Sequence, residues 1–139
     1  MPARARPVPA LRLAQDAFLS VGEILFLRQW TAGAAIWIAL LLTAPWSCLA
    51  GTVGLIAAPG IDRLFRVRLP ERMQTLGTLN ACLVGLGFVY VRGPVTSLPE
   101  FALLAAVIFV HQILFYTLQA VFAQRLQIPV MTMSFVVVM

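Results

Sequence analysis

The stretch TAGAAIWIALLLTAPWSCLAGTVGLIAA, residues 31–58, is almost uniformly apolar and is interrupted once, by Ala44-Pro45-Trp46. Proline is favoured in the first turn of a helix and disfavoured in a helix interior. The stretch is therefore either one kinked helix or two shorter helices hinged at Pro45. In the second case the first helix has about 15 residues and a length of about 22 Å, so it needs tilt or local thinning of the membrane to cross a bilayer.

The whole chain is strongly apolar. Hydrophobic residues make up 61% of its 139 residues, charged residues make up 11%, and the mean hydropathy is +0.94. These values are far from those of an average soluble domain, so we predict an all-α integral membrane protein embedded in the lipid bilayer. Roughly five spans of about 20 residues fit this length. The predicted organisation is a basic cytoplasmic arm at residues 1–12 and a single membrane domain at residues 13–139.

The arginines decide between one helix and two at residues 31–58, because cytoplasmic loops of membrane proteins are enriched in Arg and Lys. With two helices, the basic loop 62–72 lies on the side of the arm, residues 73–91 cross outward and residues 98–122 cross back. Only Arg92 then lies outside. With one helix, five other arginines would lie opposite the arm: Arg63, Arg66, Arg68, Arg72 and Arg125. We therefore predict two helices and a cytoplasmic N-terminus.

Two further segments are short for a span. Residues 13–26 contain Asp16 and Glu23 and are too polar for an ordinary span or for a cleaved signal peptide, so we predict a surface-lying or re-entrant helix. Residues 128–139 reach only about 18 Å as a helix, against a hydrocarbon core of about 30 Å. We expect that the chain is a fragment of something longer, or that its end is completed by another subunit.

Three polar residues, Glu23, Asn80 and Thr132, stand inside apolar segments that also contain glycine or proline. A polar group that faces hydrocarbon without a partner costs roughly 2–7 kcal/mol. Such residues are therefore tolerated where water, substrate or another polar group supplies hydrogen bonds. Residues 73–91 also contain three glycines, so this helix is predicted to be interrupted or closely packed.

The residue types needed for catalysis or metal binding do not occur at suitable spacings. His111 has no second histidine or acid at helical spacing, so we interpret it as a hydrogen-bonded packing residue. Cys48 and Cys82 lack the spacing of a zinc site or a disulfide framework and are predicted to be small core residues. We predict no enzyme and no metal or other cofactor. The net charge of +5 comes from arginines placed by topology, so we predict no nucleic acid as a partner and lipid phosphates as the anions.

Four short motifs are similar, in order and spacing, to those of one family. They are GEILF at residues 22–26, APW at 44–46, LNACLVG at 79–85 and IPVMTMSF at 128–135. They resemble, respectively, the end of the re-entrant pore helix, the Ser-Pro-Trp-like turn, the Phe/Tyr-Asn-Gly-x-Leu-Val-Gly segment and the Leu-Pro-Val-Leu-Thr-x-Pro-Phe signature of the urea transporters. The resemblance runs over residues 12–139. The chain departs from the family at residues 28–30, where Asn-Asn-Pro is common, at Leu79, where the family has an aromatic residue, and at Ser134, where it has proline.

The resemblance implies about five transmembrane helices plus a re-entrant pore helix, forming one half of an inverted-repeat channel. It implies passive urea transport across the plasma membrane, or inner membrane of a cell, by a homotrimer. The second half would come from a downstream segment, another chain or an inverted copy of this chain. The pore-lining residues by resemblance are Glu23, Ile24, Phe26, Leu79, Leu83 and Thr132.

The roles implied for these residues differ. Glu23 would accept hydrogen bonds from urea and Thr132 would add a central hydroxyl, while the apolar side chains would form the walls of the slot. Asn80 would be a structural brace. Two alternatives stay open: a non-conducting membrane interaction protein, that is, a remnant half that only oligomerises, and a channel for amides or ammonium.

Overall fold

The computed structural model describes residues 15, 18–19, 21–22, 29–67 and 70–122. Within these ranges the chain forms α-helices and no β-strand: α1 (Trp30–Thr43), α2 (Pro45–Leu64), α3 (Glu71–Arg92) and α4 (Leu98–Val121). Two helical stretches, Met73–Arg92 and Leu98–Val121, are long and apolar enough to cross a membrane, and α1 is a shorter apolar helix. The all-α class is confirmed for the described residues, while the five spans and the re-entrant helix stay predictions.

The predicted break at Pro45 is confirmed. Ala44 leaves the helical conformation, with φ −145° and ψ 69°, and Pro45 opens α2. Backbone hydrogen bonds continue on both sides, from Ala44 N to Leu40 O at 2.7 Å and from Cys48 N to Ala44 O at 3.0 Å. At the first position of a helix the backbone N–H has no intrahelical partner, so proline, which lacks this N–H, forfeits no hydrogen bond there. The new helix can therefore begin at Pro45, directly after the first one ends. The length of α1 is 14 residues, close to the prediction.

The second helix is longer than the sequence suggested. It continues past Pro59 to Leu64, so the prediction that the basic loop begins at residue 62 is wrong. An interior proline removes one helical hydrogen bond. The last turn is nevertheless held in place, because Asp62 accepts hydrogen bonds from Gln112 and Tyr116 of α4.

The third helix is continuous through its glycines. Of the two predicted alternatives, an interrupted helix is therefore wrong and a closely packed helix is confirmed. Residues four apart on α2, Ala50 and Gly54, meet residues four apart on α3, Ala81 and Gly85. A Cβ at Gly54 would lie 2.6 Å from the carbonyl carbon of Ala81, and one at Gly85 would lie 2.6 Å from the carbonyl carbon of Ala50. The two backbones therefore touch, as small residues allow between membrane helices. We call this contact the glycine seam.

The fourth helix begins with a capping box. Ser97 Oγ accepts a hydrogen bond from Glu100 N at 3.4 Å, and Glu100 Oε2 accepts one from Ser97 N at 2.9 Å. The two side chains thus satisfy backbone donors that the helix leaves open. Glu100 lies in the first turn of this helix, where a carboxylate also suits the helix dipole.

Two apolar clusters place α3 at the centre of the described helices. One joins α2, α3 and α4 through the buried residues Ala50, Ala58, Ala81, Val84, Phe88, Leu104 and Ile108. The other joins α2 and α3 to α1 and to the helical residues before it, through Val21, Leu55 and Cys82, with Ile36, Trp37 and Leu86 packed against them. Because α3 contributes to both clusters, its rotation about its own axis is fixed from two sides.

Candidate functional site

Two of the six predicted pore-lining residues, Leu79 and Leu83, lie within the described part of the chain. Both are on α3. The other four, which are Glu23, Ile24, Phe26 and Thr132, lie outside the described residues. The assignment of all six to a pore therefore stays a prediction. What the structure shows is how Leu79 and Leu83 are packed on α3.

The residues just before Glu23 are helical and pack against α1. Val21 is fully buried and belongs to the second cluster. A Cβ at Gly33 of α1 would lie 2.7 Å from the carbonyl carbon of Phe18 and 3.0 Å from Gly22 N. The glycine at residue 33 thus lets the segment that leads to Glu23 approach the backbone of α1.

Leu79 and Leu83 occupy the face of α3 that points away from the glycine seam. They are four residues apart, so their side chains lie on one face of the helix. Ala81 is two residues from each of them, which is about 200° of helical rotation. Since Ala81 contacts α2, the two leucines face the opposite side. Leu79 is 6% exposed, whereas Leu83 is half-buried.

Asn80 occupies a different face of α3, directed towards α4. It is fully buried. Gly77, three residues before it, lies against Gln112 and Phe115 of α4, with a Cβ there 3.3 Å and 3.1 Å from their nearest atoms. Residues three apart share a helix face, so Asn80 faces α4 as well. This position suits the predicted brace between helices.

The sequence analysis missed a hydrogen-bonded group that joins the end of α2 to α4. Gln112 Nε2 donates to Asp62 Oδ1 at 3.0 Å and to the Tyr116 hydroxyl at 3.2 Å. The Tyr116 hydroxyl donates to Asp62. The available signal was the four-residue spacing of Gln112 and Tyr116, which puts two polar groups on one face of an otherwise apolar helix.

The remaining candidates are core residues, as predicted. His111 is fully buried on α4. Cys48 and Cys82 are both buried and free. Among the described residues, no group of three His, Cys, Asp or Glu side chains could hold a metal ion. The chemistry of this region is therefore that of an apolar helix face beside buried polar side chains.

Comparison with known proteins identifies the family. A search of curated proteins finds no match to this chain. The sequence model of the urea transporter family, in contrast, matches residues 4–139. This range includes all four motifs and the three faces of α3 described above. Because the match covers nearly the whole chain, the chain belongs to the urea transporter family.

Proposed function

We propose that the chain supplies one half of a passive, selective urea channel in the plasma or inner membrane of the cell. The observation that carries this proposal is the family match over residues 4–139, since the family transports urea through channels and is not enzymatic. The proposed lining is Glu23, Ile24, Phe26, Leu79, Leu83 and Thr132.

The proposed lining suits the chemistry of urea. Urea is neutral and planar, with one carbonyl and four N–H donors, and loses its hydrogen bonds to water in a narrow pore. We expect these bonds to be replaced by three kinds of acceptor: the Glu23 carboxylate, the carbonyls at the end of its helix and the Thr132 hydroxyl. Without such acceptors, desolvated urea N–H groups would cost several kcal/mol. Leu79 and Leu83 would set the width of the slot. Because urea is uncharged, transport needs no ion gradient.

The packing of α3 supports a slot of fixed width. The glycine seam and the two apolar clusters hold α3 on the sides away from Leu79 and Leu83. Close-packed helices are hard to displace, because the packed interior has few voids and a low compressibility. These contacts should therefore keep α3 in one position. A rigid helix presenting an apolar face is what selection by shape requires.

The other wall of the pore would come from a second inverted half, supplied by another segment, another chain or an inverted copy. Inverted repeats with a site at their interface are common in transporters. The distribution of arginines favours a cytoplasmic N-terminus. A homotrimeric assembly follows from the family resemblance and belongs to the same proposal.

Urea flux into proteoliposomes, followed by stopped-flow light scattering, tests the proposal. Where an inverted copy of the chain supplies the second half, the wild-type chain alone should give a urea permeability above that of empty vesicles. Leu83→Trp should reduce it several-fold by filling the slot, whereas Leu42→Trp on α1, at a side chain 79% exposed, should leave it unchanged. Glu23→Ala should slow the flux, and an unchanged flux would remove Glu23 from the filter.

The alternatives give different results in the same assay. Correctly inserted protein with no urea flux counts against autonomous transport by copies of this chain, as expected for the non-conducting interaction protein. Competition among urea, short amides and ammonium separates a urea channel from an amide or ammonium channel, because only the preferred solute reduces the flux of the others at low concentration.

A further inference from the structure

An apolar groove with a volume of about 300 Å³ runs between α2 and the start of α4. Its lining is Trp46, Leu49, Ala50, Thr52, Val53, Ile56, Val95, Phe101 and Leu104. Only Thr52 and Trp46 of this lining carry a polar side-chain group: the Thr52 hydroxyl donates to Cys48 O at 2.7 Å, and the Trp46 indole N–H is a donor only. A solute with several N–H donors would find a single side-chain acceptor among these lining residues, the Thr52 hydroxyl oxygen, so the groove suits a largely apolar occupant.

The length of the groove matches one leaflet of a bilayer. Its lining residues on α2 recur every three or four positions, from Trp46 to Ile56, and so form a stripe along the helix axis. Ten residues of α-helix rise about 15 Å. That is half of a hydrocarbon core of about 30 Å.

One end of the groove has the chemistry of a membrane interface. Trp46, at the start of α2, is 43% exposed there, and tryptophan is enriched at the level of lipid headgroups. Arg92 is exposed at the end of α3, three residues before Val95 of the lining. The acid at this end, Glu100, already accepts hydrogen bonds from Thr96 and Ser97. The guanidinium of Arg92 is therefore a suitable partner for a phosphate.

We propose that this groove binds one acyl chain of a phospholipid from the leaflet on the Arg92 side, with the lipid phosphate paired to Arg92. The two features that select this occupant are the one-leaflet length of the apolar stripe and the cation at its interfacial end. The proposal goes beyond urea transport and requires only that the chain is in a membrane.

The test is photo-crosslinking of the full chain, reconstituted in vesicles of phosphatidylcholine that contain a diazirine-bearing acyl chain, with the labelled peptides located by mass spectrometry. Labelling should concentrate on residues 46–56 and 101–104. Ile56→Trp, which fills the deep end of the groove, should lower it several-fold. Ile38→Trp on α1 is the matched control, because Ile38 is 60% exposed and Ile56 is 63% exposed.

The headgroup contact has its own pair of variants. Arg92→Gln should lower labelling of the groove at least two-fold, whereas Arg63→Gln, near the other end of α2, should not. Labelling spread over all exposed helix faces would overturn the proposal. The distribution of labelled peptides in the wild-type protein is enough to show this, without any variant. Cross-links from the groove to a second copy of the chain would also overturn the proposal. If Arg92→Gln left the labelling of the groove unchanged, the contact between Arg92 and the lipid phosphate would be overturned.

Discussion

The glycine seam predicts a specific effect of adding one methyl group at Gly54. A Cβ there would lie 2.6 Å from the carbonyl carbon of Ala81 and 2.9 Å from Cys82 N. Carbon atoms pack best at about 3.5–4.0 Å, so Gly54→Ala must separate α2 and α3 by about 1 Å. Overpacking of this kind costs about 1–3 kcal/mol. We expect the upper part of that range, because the obstructing atoms belong to the backbone and cannot change rotamer.

Gly60, in the same helix, provides the control. A Cβ there has no neighbour within 4 Å, and replacing a helical glycine with alanine stabilises by roughly 0.5–1 kcal/mol. Gly60→Ala should therefore unfold at the wild-type midpoint or above it, and Gly54→Ala clearly below it. Unfolding of the detergent-solubilised protein by denaturant, followed by tryptophan fluorescence, measures both. Equal midpoints for the two variants would refute the backbone contact at Gly54.

A double variant tests whether the seam acts as a unit. Gly85→Ala obstructs the same interface from α3, where its Cβ would lie 2.6 Å from the carbonyl carbon of Ala50. Once one substitution has separated the helices, the second meets less resistance, so Gly54→Ala with Gly85→Ala should cost less than the sum of the single variants. Strictly additive costs would show that the two contacts yield independently.

Three further effects follow from the same contacts. Ser97→Ala removes the capping-box acceptor of α4 and should lower stability by about 1 kcal/mol; an unchanged unfolding midpoint would show that the box does not hold this helix start. Tyr116→Phe removes the hydroxyl donor to Asp62 and should cost about 1–2 kcal/mol, whereas Tyr90→Phe, at a side chain 91% exposed, should be neutral in the same assay. Gly54→Ala should also change urea permeability in proteoliposomes, since it displaces α3. A permeability equal to that of the wild type would show that the contact at the glycine seam does not affect the proposed slot.

The division at Pro45 could be predicted because local and global rules agree there. Proline favours a helix start, and only two helices keep most arginines on one side of the membrane. The start of α4 could be predicted for a similar reason, since the acid at residue 100 follows a serine three residues before it in the spacing of a capping box. In both cases the deciding groups are close in sequence.

The glycines of α3 could not be interpreted from α3 alone. A helix with several glycines can be interrupted or closely packed, and its own sequence allows both. The decision came from α2, where Ala50 and Gly54 recur at the same four-residue spacing as Ala81 and Gly85. Matching rows of small residues on two segments are the signal that predicts such a contact.

The end of α2 could not be predicted because its support is distant in the chain. Asp62 is bonded to Gln112 and Tyr116, which are 50 and 54 residues further on. Locally, Pro59 and the charges after it favour the end of a helix. The long-range hydrogen bonds supply what the sequence near Pro59 does not show, and the helix continues to Leu64.

The three faces of α3 have separate tasks, and this separation makes the proposed pore testable by comparing two measurements. Gly85 belongs to the seam, whereas Leu83 belongs to the opposite face, which carries the proposed slot. A larger residue at Gly85 should reduce stability and, by displacing the helix, permeability as well. A larger residue at Leu83 meets no seam and should reduce permeability with little change in stability. If both substitutions changed only stability, the leucine face would be a packing surface and the channel wall would have to lie elsewhere in the chain.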